Sequence, residues 1–230
     1  MTCHPIAESS QNERFDHLGG PQCPLCKQEH NTWWHQRKHR DYWHCRICQL
    51  VFVGVAQQLS ATAEKAEYDR HENDVDDPGY RRFLTRPFTA VTERLPAGAR
   101  GLDFGCGPGP ALAAMLEESG YNVTLYDLYY YPQAEALTRH YDFICLTEVI
   151  EHLSDPARVL TQLWALLNEG GWLVVQTQRV RNRAAFEHWR YVDDPTHIAF
   201  YAEDTFAWLA RQLDARHWDI TGRDVVVLQK

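Results

Sequence analysis

Residues 102–112 read LDFGCGPGPAL, and this stretch decides the fold. An apolar run, ARGLDF (99–104), leads into glycines at 105, 107 and 109. PALAAMLEESG (110–120) then has the apolar spacing of a helix closed by Gly120. The expectation is a short buried strand, a tight turn and a helix. Glycines in such a turn let the backbone pass close to a ligand, and a helix N-terminus favours negative groups. The spacing is G-x-G-x-G. Pro110 stands where a dinucleotide fingerprint needs glycine or alanine.

Outward from the loop, strands and helices alternate. NVTLYD (122–127), YDFICLTEV (141–149) and WLVVQT (172–177) read as strands, the second apolar enough to be buried on both faces. DPARVLTQLWALLNEGG (155–171) reads as a helix with Val159, Leu160, Leu163, Leu166 and Leu167 on one face, ended by two glycines. RAAFEHW (183–189) reads as a short helix, EDTFAWLARQL (203–213) as a longer one, and VVVLQK (225–230) as the strand that closes the sheet. Residues 99–230 therefore form an α/β domain. Asp127 ends the second strand twenty residues after Gly107, placed to take a ribose diol, and Asp103 stands just before the loop.

Four ordered motifs carry a resemblance. DFGCGPG, LYD, TEVIEHLSDP (147–156) and LLNEGGWLVVQT (166–177) resemble the successive motifs of class I methyltransferases dependent on S-adenosylmethionine. They are most similar to the small-molecule branch that includes the ubiquinone-biosynthesis methylases, and the resemblance spans roughly residues 80–215. It implies a Rossmann-like sheet with flanking helices, S-adenosylmethionine as cofactor and a small-molecule methyl acceptor. It also implies that Asp103 and the backbone of Gly105, Cys106, Gly107 and Gly109 hold the methionine end of the cofactor. Asp127 would bind the ribose hydroxyls, Leu128 would lie against the adenine, and Thr147 and Glu148 would face the sulfonium. There is one departure. Only fourteen residues separate Asp127 from Asp142, where related enzymes fit an extra helix and strand that supply an acid to the adenine amine. LYYYPQ (128–133) offers tyrosines there instead.

Upstream, Cys23, Cys26, Cys45 and Cys48 are spaced C-x2-C-x18-C-x2-C, which fits a structural Zn2+ held by four thiolates in a zinc ribbon over residues 21–54. A short strand, CQLVFV (48–53), follows the second knuckle. Residues 21–53 hold five Lys/Arg against two acids, with Trp33, Trp34, Tyr42 and Trp43 among them. That mixture suits binding of single-stranded RNA, or equally the ribbon's own core and its contact with the catalytic domain. The net charge of −8 favours the second. Residues 1–20 read as a mobile polar tail and 55–98 as a helical linker or lid, broken at HENDVDDPG (71–79). No apolar run approaches the roughly 20 residues of a membrane span, and the N-terminus has no apolar signal core. A cytoplasmic location is expected.

Methyl transfer needs donor and acceptor held in line, and an acceptor that must lose a proton needs a base. The candidates are His197 first, then His188 and His152, with His71 in YDRHEND (68–74) as a weaker one. HWRYVDDPTHIAFY (188–201) leaves the WLVVQT strand and is expected to wall the acceptor, with Trp189, Tyr191 and Asp193 lining it. Tyr68 and Tyr80, from the segment before the domain, are expected in the lid. Two histidines and two carboxylates there also allow a catalytic cation.

Overall fold

The computed structural model describes residues 19–70 and 73–230. His71 and nearly all of the expected tail lie outside them. Two sheets are present. The smaller contains β1 (Asn31–Arg37), β2 (Arg40–Cys45), β3 (Val51–Val53) and a late strand, in the order β1-β2-β3-β8. The larger is built from β4 (Arg100–Phe104), β5 (Asn122–Tyr126), β6 (Tyr141–Thr147) and β7 (Leu167–Gln176). The smaller sheet's last member is β8 (Ala199–Phe200), and β9 (His217–Thr221) and β10 (Val225–Gln229) complete the larger one. Its order is β5-β4-β6-β7-β10-β9. The first four strands are parallel, and β10 runs antiparallel to both its neighbours.

Helices start where the sequence caps them. Ser60 caps α1 (Ala61–Tyr68), Asp77 caps α2 (Pro78–Thr92), and Asp155 caps α4 (Pro156–Leu166), each by accepting a backbone N–H of the first turn. Proline occupies the first turn of α2 and of α4, where its missing N–H costs nothing. Helices α3 (Ala111–Glu118), α5 (Arg183–Glu187) and α6 (Glu203–Gln212) complete the set. On one face of the larger sheet, Leu84 and Val91 of α2 and Leu112 and Leu116 of α3 cover Phe143, Cys145 and Val174. The other face carries Ile144, Leu146 and Val175 against Leu160 and Leu163 of α4 and Phe206 and Leu209 of α6. Strand β6 is thus buried on both faces, as its apolar run requires.

Two expectations change. The helix beginning at 155 ends at Leu166, not at the glycines. Asn168-Glu169-Gly170-Gly171 lies inside β7, where Gly170 takes φ +78° and an irregular register separates Tyr141↔Leu167 from Phe143↔Trp172. The C-terminal strand does not close the sheet: β10 is interior and β9 is its outer neighbour. The cysteine segment is joined to the catalytic body. Strand β3 pairs with β8, and Cys23, Leu25, Cys48, Leu50 and Phe52 are buried in the same apolar cluster as Ile144 and Leu146. The short 128–140 connection is a turn and a 3-10 helix, Ala134–Thr138, so β5 is an edge strand. Among the described residues no helix is long and apolar enough to cross a membrane.

Candidate active site

A cavity of about 600 Å³ opens at the carboxyl ends of β4, β5 and β6, where open α/β sheets place their ligands. Its floor is the glycine loop. Gly105 and Gly107 adopt φ +75° and +65°, a left-handed backbone that only glycine takes without strain. A Cβ at Gly109 would meet the Asn73 carbonyl oxygen at 1.9 Å, so the segment before α2 lies directly over the loop. Gly105, Cys106 and Gly107 line the cavity; Asp103 does not. Asp103 is buried beneath the loop, and burial pushes its carboxyl up to about 7.

Asp127 lines the cavity and organises its side wall. Its Oδ2 accepts the Gly107 N–H at 3.0 Å, and its Oδ1 accepts the N–H groups of Tyr129 and Tyr130 at 2.8 and 3.0 Å. A carboxylate offers about four lone-pair directions, so roughly one stays free for a ligand hydroxyl. Leu128 is 65% exposed at the cavity rim. The hydroxyls of Tyr129 and Tyr130 donate to Glu64 and Asp69, which ties this wall to α1 above it.

The opposite wall is polar. Thr147 ends β6 and Glu148 follows it, and Thr147 Oγ1 and Glu148 Oε1 are both buried without a partner. Glu148 sits at φ +52°, uncommon for a side chain of this size. Burial first, and then the neighbouring Glu151, push its carboxyl up to about 9. His152, Asp194 and His197 also face the cavity. His152 Nδ1 lies 3.2 Å from the Thr196 carbonyl and His197 Nδ1 2.7 Å from that of Tyr191. The rings of Tyr68, His152 and His197 follow one another edge to face, at 5.4 and 4.7 Å. Burial pushes His197 below the ordinary imidazole value. Asp194 is held low even though burial opposes it, because Thr196 donates to its carboxylate and His197 stands beside it. Tyr68 and Tyr80 form part of the roof, and burial raises both phenols, Tyr80 to about 12.

Not every candidate reaches this cavity. His188 is exposed at the end of α5. Trp189 packs on Phe186, Tyr191 and Phe200, at the edge of a third apolar cluster that includes Tyr42, Val51 and Val53 of the smaller sheet. Asp193 faces away and takes a two-pronged ion pair from Arg37, with Lys38 at 3.4 Å. Tyr191 does not line the cavity either, but its hydroxyl stands behind the wall and donates to Glu148 and Glu151. Glu151, fully buried, was not singled out from sequence. Its signal was local: it stands three residues after Glu148, where one turn brings both carboxylates together.

Away from the cavity, Cys23, Cys26, Cys45 and Cys48 converge, with all four sulfurs within 4.8 Å of one another. Cys23 and Cys48 lie 3.5 Å apart, Cys26 and Cys45 3.4 Å. Hydrogen bonds among the sulfurs, and then burial, push Cys23 and Cys48 up, while hydrogen bonds from the other three sulfurs hold Cys45 down against its burial. Four thiols of this kind fit a tetrahedral Zn2+.

The residues also fit a class I cofactor: the loop leaves a cradle without side chains, and two buried polar atoms at the cavity's edge have no partner in the protein. Comparison with known proteins agrees. A family model described as a methyltransferase domain matches residues 77–218. No curated protein matches the chain. Among solved structures, an S-adenosylmethionine-dependent methyltransferase from Archaeoglobus fulgidus is similar at TM-score 0.51 and 16% identity, over 65% of this chain and 94% of that one. The Burkholderia thailandensis 1,6-didemethyltoxoflavin-N1-methyltransferase, solved with 1,6-didemethyltoxoflavin and S-adenosylhomocysteine, is similar at TM-score 0.50 and 18% identity, over 81% and 98%. With its glycine loop, its sheet order and its match over residues 77–218, the chain belongs to the methyltransferase-domain family and is an enzyme that uses S-adenosylmethionine.

Proposed function

We propose that this enzyme methylates a small molecule that binds between the glycine loop and the Glu148–His152–Asp194–His197 wall. One observation carries the reading: a single cavity of about 600 Å³ joins both surfaces, large enough for a cofactor and a compact acceptor together. Bound, S-adenosylmethionine supplies an electrophilic methyl group on a sulfonium. The loop backbone and Asp127 hold it, with Leu128 and the tyrosines after it beside the base and Thr147 and Glu148 next to the reacting end. The roof from α1 and Asn73 excludes water. The polar wall orients the acceptor and compensates the loss of its proton, with the Nε2 atoms of His197 and His152 as its nitrogen acceptors. The 1,6-didemethyltoxoflavin bound with S-adenosylhomocysteine to the Burkholderia thailandensis neighbour supports a small-molecule acceptor.

The four cysteines hold a structural Zn2+ in this reading, and the ribbon braces the catalytic body. Its charge is already engaged. Arg37 clasps Asp193, Arg40 donates to the carbonyls of Asp194 and His197, and Lys27 pairs with Asp155 at 2.7 Å. That leaves little for an RNA backbone. The test is calorimetric binding of S-adenosylhomocysteine, followed by a screen of cell metabolites for labelled-methyl uptake with an RNA fraction run beside it. Binding plus label in a small molecule is expected. Absence of binding, or label confined to RNA, overturns the reading.

A further inference from the structure

Glu151, His152 and His197 each offer a ligand atom, and these atoms lie within 4.8 Å of one another. Bonds of about 2.0–2.2 Å keep the ligands of one ion within roughly 4.4 Å of each other. A contraction of a few tenths of an ångström therefore closes the set. The imidazoles are also oriented for it. Each has Nδ1 on a backbone carbonyl, at 3.2 Å for His152 and 2.7 Å for His197. A carbonyl only accepts, so Nδ1 carries the proton and Nε2 keeps its lone pair. Histidines that bind metals are pinned in this way.

The carboxylates make a second, independent argument. Glu148 Oε2 and Glu151 Oε1 both accept from the Tyr191 hydroxyl, which has one proton to give. Glu148 Oε1 is buried with no partner at all. Among the described residues no lysine or arginine forms an ion pair with either glutamate. Glu151 Oε2 accepts from the Thr177 hydroxyl at 3.0 Å, but hydroxyls carry no charge, so two carboxylates set this close lack the counter-charge such a pair needs.

We propose that Glu151, His152 and His197, with the Glu148 carboxyl beside them, form a divalent-cation site in the acceptor wall, and that the acceptor is a hydroxyl compound whose oxygen completes the coordination. Two imidazoles with two carboxylates suit a first-row transition dication better than Ca2+ or Mg2+. The set also differs from the all-sulfur cysteine site. The acceptor's O–H loses its proton to bulk water, and the oxygen keeps the electron pair. That pair forms the new O–C bond as the donor's C–S bond breaks, and sulfur leaves with the electrons of that bond as a neutral thioether. His152 and His197 act here as ligands. The acceptor class rests on the methyltransferase reading; the cation site does not.

The probe is Mn2+, titrated into the zinc-loaded full chain and followed by loss of the free-ion electron paramagnetic resonance signal. One saturable site per chain is expected, weakened at least ~10-fold in Glu148→Gln and in His197→Gln, and Mg2+ should compete poorly. Tyr191→Phe, which removes no ligand, should keep the site. Glu148→Gln preserves shape, and its melting curve confirms folding should His197→Gln fail to fold. No saturable site in the wild type, or unchanged affinity in Glu148→Gln, overturns the proposal. S-adenosylhomocysteine binding measured in parallel separates the two readings. Cofactor bound without Mn2+ overturns the cation site alone; Mn2+ bound without cofactor supports the site and overturns the methyltransferase reading.

Discussion

Gly105→Ala tests the floor of the cavity most sharply. A Cβ at this position would lie 2.5 Å from Cγ2 and 2.9 Å from Cγ1 of Val149, which is only 9% exposed and packed into the main core. The residue also holds φ +75°, which costs an alanine about 1–2 kcal/mol. Overpacking against Val149 adds about 1–3 kcal/mol, so the total is roughly 2–5 kcal/mol. In a chain of this size each kcal/mol lowers Tm by about 2–4 °C. The clash and the backbone cost separate in a cycle with Val149→Ala. Removing the valine methyls relieves the clash but leaves the strained φ, so the pair should couple favourably by about 1–3 kcal/mol. Chemical denaturation of all four proteins measures this, and calorimetry with S-adenosylhomocysteine measures the cradle. Affinity should fall at least ~10-fold in Gly105→Ala, and Val149→Ala should restore stability more than affinity, because the turn facing the ligand stays distorted. Additive stabilities within about 0.5 kcal/mol refute the contact. Unchanged affinity refutes the loop as the cofactor's cradle.

Asp103, raised to about 7 by burial, keeps its proton between about pH 4 and 7 while the unfolded chain has released it. Stability should therefore fall as pH rises through that window and level off above it. Asp103→Asn should flatten the profile and gain up to ~4 kcal/mol at pH 8, read from denaturation midpoints at pH 4 and 8. Arg40→Met strips the donors from the carbonyls of Asp194 and His197; a loss of about 2–4 kcal/mol is expected in the same assay, and an unchanged midpoint would show that the guanidinium does not brace the wall. Atomic absorption should find one zinc per chain. Withdrawing it with a chelator should lower Tm by about 10 °C or more, because its ligands belong to the main core.

The glycine loop was legible because everything that makes it is local: an apolar strand, left-handed turns that need glycine, and an amphipathic helix. The NEGG segment misled for the same reason. Gly170 signals a left-handed residue, but the sequence does not say whether that residue ends a helix or kinks a strand. Strand β9 went unread because HWDIT buries none of its residues fully and alternates weakly, as an outer strand can. His188, Trp189 and Asp193 share one short segment with His197, yet the cavity receives only His197 among them. The direction of Asp193 is set by Arg37, about 150 residues away, which also holds the Glu187 carbonyl just before His188. No local pattern encodes that.

The positive excess of residues 21–53 finds its explanation in the same contacts. Read alone, five cations among aromatics suggest a polyanion as partner. In place, Arg37, Arg40 and Lys27 are turned toward the catalytic body, and β3 bonds to β8 immediately after His197. Val53 donates to the Ile198 carbonyl, and Ile198 in turn donates to that of Glu151. A continuous run of hydrogen bonds thus leads from the second cysteine knuckle, through β3, to the loop that holds both His197 and the Glu151 backbone. Disturbing the proposed zinc therefore disturbs the acceptor wall before it disturbs the glycine loop, which hangs from β4 and α3 and makes none of these bonds. Loss of the metal should accordingly weaken Mn2+ binding at the wall before it weakens cofactor binding at the loop. The opposite order would mean that the ribbon serves some other surface.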